Sequence, residues 1–188
     1  MRYPDEGKII WKRLDTPGHE SAWVFADDGN WILDGSSVFL WEEKVCRLDY
    51  LIECDDAWNT AAATVNGWVG DDVVDVEIEV ASSEHWTMNG KSCPEVDGCI
   101  DIDLNFSPVT NTLPIRRLDL SEGGSERVRA AWLRFPSFKL EALAQTYTRL
   151  DGTTDRYVSG SGSFTREIKV DEFGLVTDYP DYWRGEIG

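Results

Sequence analysis

Hydrophobic alternation with a period of two, broken by short turns, dominates this chain and leaves it few folds to choose from. It appears in "ESAWVFADDGNWILDGSSVFLW" (20–41) and again in "CRLDYLIECDDAWNTAAATVNGWVG" (46–70). "VVDVEIEVASSEHWTMNG" (73–90) and "FTREIKVDEFGLVTDYP" (164–180) repeat the scheme. Successive strand side chains point to opposite faces, so this period marks strands with one face turned inward, and the acidic or glycine-bearing breaks mark hairpin turns. Gly29, Gly70, Gly90, Gly98 and Gly174 stand where such turns need a positive φ. The copies are too diverged and unevenly spaced to form a repeat array. They predict a meander of antiparallel strands, which must close into a barrel, curl into a half-barrel or fold into a sandwich to protect its edges and faces. No linker, low-complexity tract or charge block divides the chain, and residues 1–188 read as a single, mostly β domain with at most one or two short helices.

The helical candidates are few. "SPVTNT" (107–112) can open a helix with Ser107 as N-cap and Pro108 at the first position, and Pro114 should stop it within one or two turns. "SFKLEALAQTYTRL" (137–150) contains good helix formers, but Phe138, Leu140, Ala142 and Ala144 alternate with Lys139, Glu141, Leu143 and Gln145, which favours a strand.

Two arginines sit back to back in "LPIRRLDL" (113–120). Taken as a strand, this segment puts Arg116 on one face with Leu118 and Leu120. "VRAAWLRFP" (128–136) likewise mixes Arg134 with Trp132 and Ala130 on one face. An inward guanidinium needs a partner, because an unpaired buried charge costs on the order of several kcal/mol. Asp101 and Asp103, from "CIDIDLNF" (99–106), can supply one. The result is either a structural ion pair, a stem lying on the core with its head in water, or a polar grip inside a cavity on an anionic or polar head group.

A net charge of −17, from 35 acidic and 18 basic residues, sets nucleic acid and anionic membrane surfaces aside as partners. The N-terminal twenty residues hold no apolar run long enough for a secretory signal, and no stretch approaches a membrane span. A soluble cytoplasmic protein is expected, with its four cysteines reduced. "CPEVDGC" (93–99) lacks a zinc spacing and only two histidines exist to complete a site, so buried thiols or one local disulfide are expected, with no metal or cofactor. The histidines His19 and His85 stand in turns. "HESAW" (19–23) puts Trp23 where a zinc protease needs its second histidine, and no nucleotide-binding or nucleophile-elbow motif is present. The nine tryptophans fill core in the ordinary reading, with a minority free to line a cavity or stack on sugars.

"WKRLDTPGHE", "RLDYLIECDDAWNT", "NGKSCPEVDGCIDIDLNFSPVTNTLPIRRL", "VRAAWLRFPSFKLEALAQTYTRL" and "GLVTDYPDYW" follow one another in this order. Together they resemble the bacterial family labelled putative glycolipid-binding proteins, over roughly Ile9 to Trp183. The resemblance implies a strongly curved antiparallel sheet, barrel-like or half-barrel, similar to carriers of lipids and lipoproteins in the bacterial periplasm. It brings no ligand and no catalytic residue. The expected function is non-enzymatic binding of an apolar or amphipathic small molecule, a lipid or glycolipid, on the concave side of the sheet. Arg116, Arg134, Trp132, Asp101 and Asp103 are the candidate ligand-binding residues, with Asn111 and Thr112 at the cavity mouth. The alternatives are an enzyme acting on a sugar-containing or lipid-like molecule, marked by a cavity carboxylate with a raised pKa, and an interaction module with a filled core.

Overall fold

The computed structural model describes residues 5–81 and 84–186; Ser82 and Ser83, in the turn of the third predicted hairpin, lie outside them. The strands are β1 (Glu6–Arg13), β2 (Gly18–Asp27), β3 (Asn30–Trp41), β4 (Lys44–Cys54), β5 (Thr60–Val69), β6 (Asp72–Val80), β7 (Trp86–Met88) and β8 (Lys91–Ser92). They continue as β9 (Asp101–Leu104), β10 (Ser125–Arg134), β11 (Lys139–Asp151), β12 (Thr154–Ser159), β13 (Phe164–Val170), β14 (Val176–Tyr179) and β15 (Trp183–Glu186). All belong to one sheet, in the order β8-β7-β6-β5-β4-β3-β2-β1-β15-β14-β13-β12-β11-β10-β9. Each neighbour pair is antiparallel except β9 and β10.

The four predicted hairpins are all present, and "SFKLEALAQTYTRL" is strand, as its alternation implies. Hydrogen bonding joins the ends of the meander through β1 and β15, so the free edges are β8 and β9. The sheet curls until β9 and the segment before it meet β5 and β7, without closing into a barrel. Thr60 N–H donates to the Ile100 carbonyl at 3.1 Å, and the Thr60 hydroxyl accepts from Ile102 N–H at 3.0 Å. The Trp86 indole donates to the Cys99 carbonyl at 3.0 Å, tying the β7 edge to the segment that leads into β9. Covering an edge this way removes a template for unwanted pairing.

The strand expectation for "LPIRRLDL" is overturned: Thr112–Leu118 is an α-helix, α1, entered from a single 3-10 turn at Val109–Asn111. Pro114 does not end it. It is the third helical residue, where a missing N–H takes nothing from the helix. Five consecutive residues, Thr112 to Arg116, are buried. A short helix buried on every side sits inside its container rather than on it. It is pinned by Thr112 Oγ1, which donates to Gly174 O at 3.2 Å, and by Arg116 Nη1, which donates to Phe173 O at 2.7 Å. Beside it the Arg117 fork grips Asp101 on β9, with Nε 3.2 Å from Oδ1. The concave side is therefore largely filled by α1, by Trp11 and Trp86, and by Phe106 and Leu133. All four cysteines are free and buried. Among the described residues no helix is long and apolar enough to cross a membrane.

Candidate functional site

What remains open is a cleft of about 640 Å³ at one end of the curl. Its walls come from both sides of the sheet. Phe39, Leu40 and Trp41 on β3 face Trp132 on β10 and Phe135 beyond its end, while Tyr157 on β12, Phe164 on β13, Tyr179 on β14 and Trp183 on β15 form the other wall. The aromatic rings support one another: Phe135 meets Phe39 and Trp41 edge to face, each with centroids 5.3 Å apart, and Tyr179 meets Trp183 at 5.4 Å. Aliphatic lining is confined to Leu40 and Leu143.

The charged groups of the lining are Arg13, Asp15, Glu42 and Asp103. Arg13 lies over the rings of Phe39 and Trp183, 4.3 and 5.3 Å from their centroids. Its fork meets Asp15 twice, at 3.1 and 2.9 Å, and its third nitrogen donates to Phe106 O at 3.3 Å. Asp103 stands on β9 in register with Trp132. Its Oδ2 accepts from Gln145 Nε2 at 2.6 Å. Loss of water around this carboxyl raises its pKa to about 6, although the Gln145 bond pulls the other way. Asn111, whose Oδ1 accepts from the Tyr147 hydroxyl at 3.1 Å, and Ser107 add polar groups to the same cavity.

Behind Ser107 lies a buried polar knot. Glu20 on β2 accepts from Ser107 Oγ and, at 2.7 Å, from the Tyr50 hydroxyl. Burial drives the Glu20 pKa up to about 7, against those hydrogen bonds and the Arg13 charge. Its Oε2 is buried without a hydrogen-bond partner among the described residues. This knot joins β2, β4 and the segment before α1, and it supports the cleft floor through Ser107.

The residues singled out from sequence are divided by the fold. Trp132, Asp103 and Asn111 come together in the cleft. Arg116, Asp101 and Thr112 are buried around α1, away from its lining. Arg134 is exposed at the end of β10, paired with Glu141 at 3.5 Å and lying over the Trp132 ring. The guanidinium that does line the cleft is Arg13. Its signal was in the sequence: Ile9, Trp11 and Arg13 alternate in "IIWKR" and all three point inward. The aromatic wall from β12 to β15 is built by consecutive hairpins, with Tyr179 and Trp183 as register partners, but local pairing carried no sign that it would face β3 and β10 across a cleft. Among the described residues no cluster of three or more His, Cys, Asp or Glu could hold a metal ion.

The family model described as "Putative glycolipid-binding" matches residues 8–185. The chain is similar to a DUF1089 family protein from Pseudomonas aeruginosa, known from a crystal structure, with 31% identity and a TM-score of 0.78 over 88% of this chain and 91% of that one. It is also similar, at 9% identity and a TM-score of 0.60, to a beta-barrel-like protein of the DUF1849 domain of unknown function from Brucella abortus, over 98% of this chain and 95% of the other. The second likeness speaks for the fold alone. No curated protein matches the chain.

Proposed function

The chain belongs to the putative glycolipid-binding family, and from that premise we propose that it binds an amphipathic, glycolipid-like molecule in the aromatic cleft without transforming it. The observation that carries this reading is the lining itself: several aromatic faces and a few convergent polar groups around about 640 Å³. Small-molecule pockets span about 300–1,000 Å³ and have this mixture. Trp132, Tyr157, Tyr179 and Trp183 border the cleft with aromatic surface against which the apolar side of a sugar ring can pack, and Asp103, Asn111 and Ser107 offer hydrogen bonds to its hydroxyls. With aliphatic lining limited to Leu40 and Leu143, the cleft takes the head group, and the tail runs out toward the mouth.

Native mass spectrometry of the protein purified from its own host tests this. A co-purified amphiphile, lost in Trp132→Ala, is the expected result. A clean apo mass together with no binding across a lipid panel overturns it.

One observation favours a second reading. A carboxylate with its pKa pushed to about 6, as Asp103 has, can serve as a general acid near neutral pH. Turnover of chromogenic glycosides that Asp103→Asn abolishes would select an enzyme; absence of turnover leaves the binding protein.

A further inference from the structure

Resting on that reading of the cleft, we propose that the head group it selects carries a positive charge, a primary or quaternary ammonium seated between Asp103 and the aromatic faces around it. Three observations converge. The first is the charge of the lining, one guanidinium against three carboxylates. That guanidinium, Arg13, has its fork turned on Asp15 through two nitrogens and a third nitrogen on Phe106 O, so it is not presented to an anion. An anionic head group would face unbalanced carboxylates in a partly dry site, where like charges repel most strongly.

The second is the surroundings of Asp103. One oxygen is held by Gln145, and Oδ1 receives no hydrogen bond from any described residue. Trp132 is its cross-strand neighbour, and Tyr157 and Tyr179 line the same cavity. Aromatic rings attract a cation through their negative faces, and a carboxylate among them completes an ammonium site. The third is the chain's net charge of −17, which focuses cations rather than anions into any concave surface. A neutral sugar can occupy the cleft, but it leaves the desolvated Asp103 carboxylate without a counter-charge.

Three amphiphiles with one alkyl chain separate these cases: decyltrimethylammonium, decyl glucoside and decyl sulfate, titrated below their micelle concentrations at 0.15 M salt. Tryptophan fluorescence and calorimetry report binding to wild type and to Asp103→Asn. Decyltrimethylammonium is expected to bind about tenfold tighter than the glucoside and the sulfate weakest. Asp103→Asn should bring the ammonium to within about threefold of the glucoside. The variant keeps nearly all of the chain's negative charge, so attraction to the general surface survives in it and only the local contribution disappears.

Acidification gives a second readout. The titratable groups facing Asp103 are Tyr147, Tyr157 and Tyr179, all with pKa values raised by burial, and Asp101, which is tied to Arg117. From pH 7.5 to 5, below the value of about 6 for Asp103, the ammonium preference should fall more in the wild type than in Asp103→Asn, a comparison that cancels the charge change of Glu20 near 7 behind the cleft floor. Equal or tighter binding of the glucoside at pH 7.5, or an ammonium preference undiminished in Asp103→Asn, overturns the charge assignment while leaving the cleft as a binding site. If Trp132→Ala changes the affinity of none of the three probes, the binding reading of the cleft itself fails.

Discussion

Tyr50 lies across the bare α-carbon of Gly35, its cross-strand partner, and this carries its hydroxyl to 2.7 Å from Glu20. A Cβ at position 35 would overlap the Tyr50 hydroxyl and ring. The glycine in the middle of β3 is thus where an aromatic ring must cross the strand to reach a buried acid. Gly35→Ala should destabilise the protein by about 2–3 kcal/mol, the cost of overpacking together with a lost buried hydrogen bond. Urea unfolding checks this, as a lower midpoint with an unchanged slope.

The same acid links stability to pH. Desolvation raises the folded pKa of Glu20 to about 7 from an ordinary 4.5. A group raised on folding holds its proton more tightly in the native state. Its contribution is fully present below 4.5, declines as pH rises, and is gone above about 7. Glu20→Gln cannot ionise, so its stability should fall less steeply between pH 4.5 and 7 than that of the wild type. Thermal melts across that interval measure the difference, and parallel curves would refute it.

Asp101 is 1% exposed in its side chain and is held by Arg117, itself at 15%. Arg117→Met strands a buried carboxylate and should cost about 3–5 kcal/mol. Adding Asp101→Asn removes the stranded charge, so the double variant should recover part of the loss. A double-mutant cycle in guanidinium measures the coupling.

Arg116 packs against Trp58, Trp31 and Phe173, 4.7, 5.2 and 4.5 Å from their ring centroids, and donates to Phe173 O. Arg116→Ala should lower stability by about 2–4 kcal/mol through lost packing and cation–π contact. Probe affinity in the cleft should hold steady, since the residue is not in its lining.

Arg134 provides the contrast. It is exposed, and its pairing with Glu141 is a surface one. Arg134→Ala should alter stability by no more than about 0.5 kcal/mol. A larger loss would show that its contact with the Trp132 ring holds the cleft wall in place.

Period-two alternation was enough to read the hairpins, the strand found at 139–151 and the antiparallel meander, because each of these depends on residues close together in the chain, whereas the strong curl came from the family resemblance. It also carried the inward direction of Arg13, in the register of Ile9 and Trp11. It misread Arg116 and Arg117, since a seven-residue helix offers too few turns to declare its period, and its burial on every side erases amphipathic contrast. The cleft was beyond local reading altogether. Arg13 and Trp183 face Asp103 and Trp132 only after the sheet has joined β1 to β15 and curled β9 toward β5. Which aromatics fill the core and which line an opening follows from where α1 stops filling the curl. Side-chain alternation assigns each residue a face, and long-range packing alone assigns that face a neighbour.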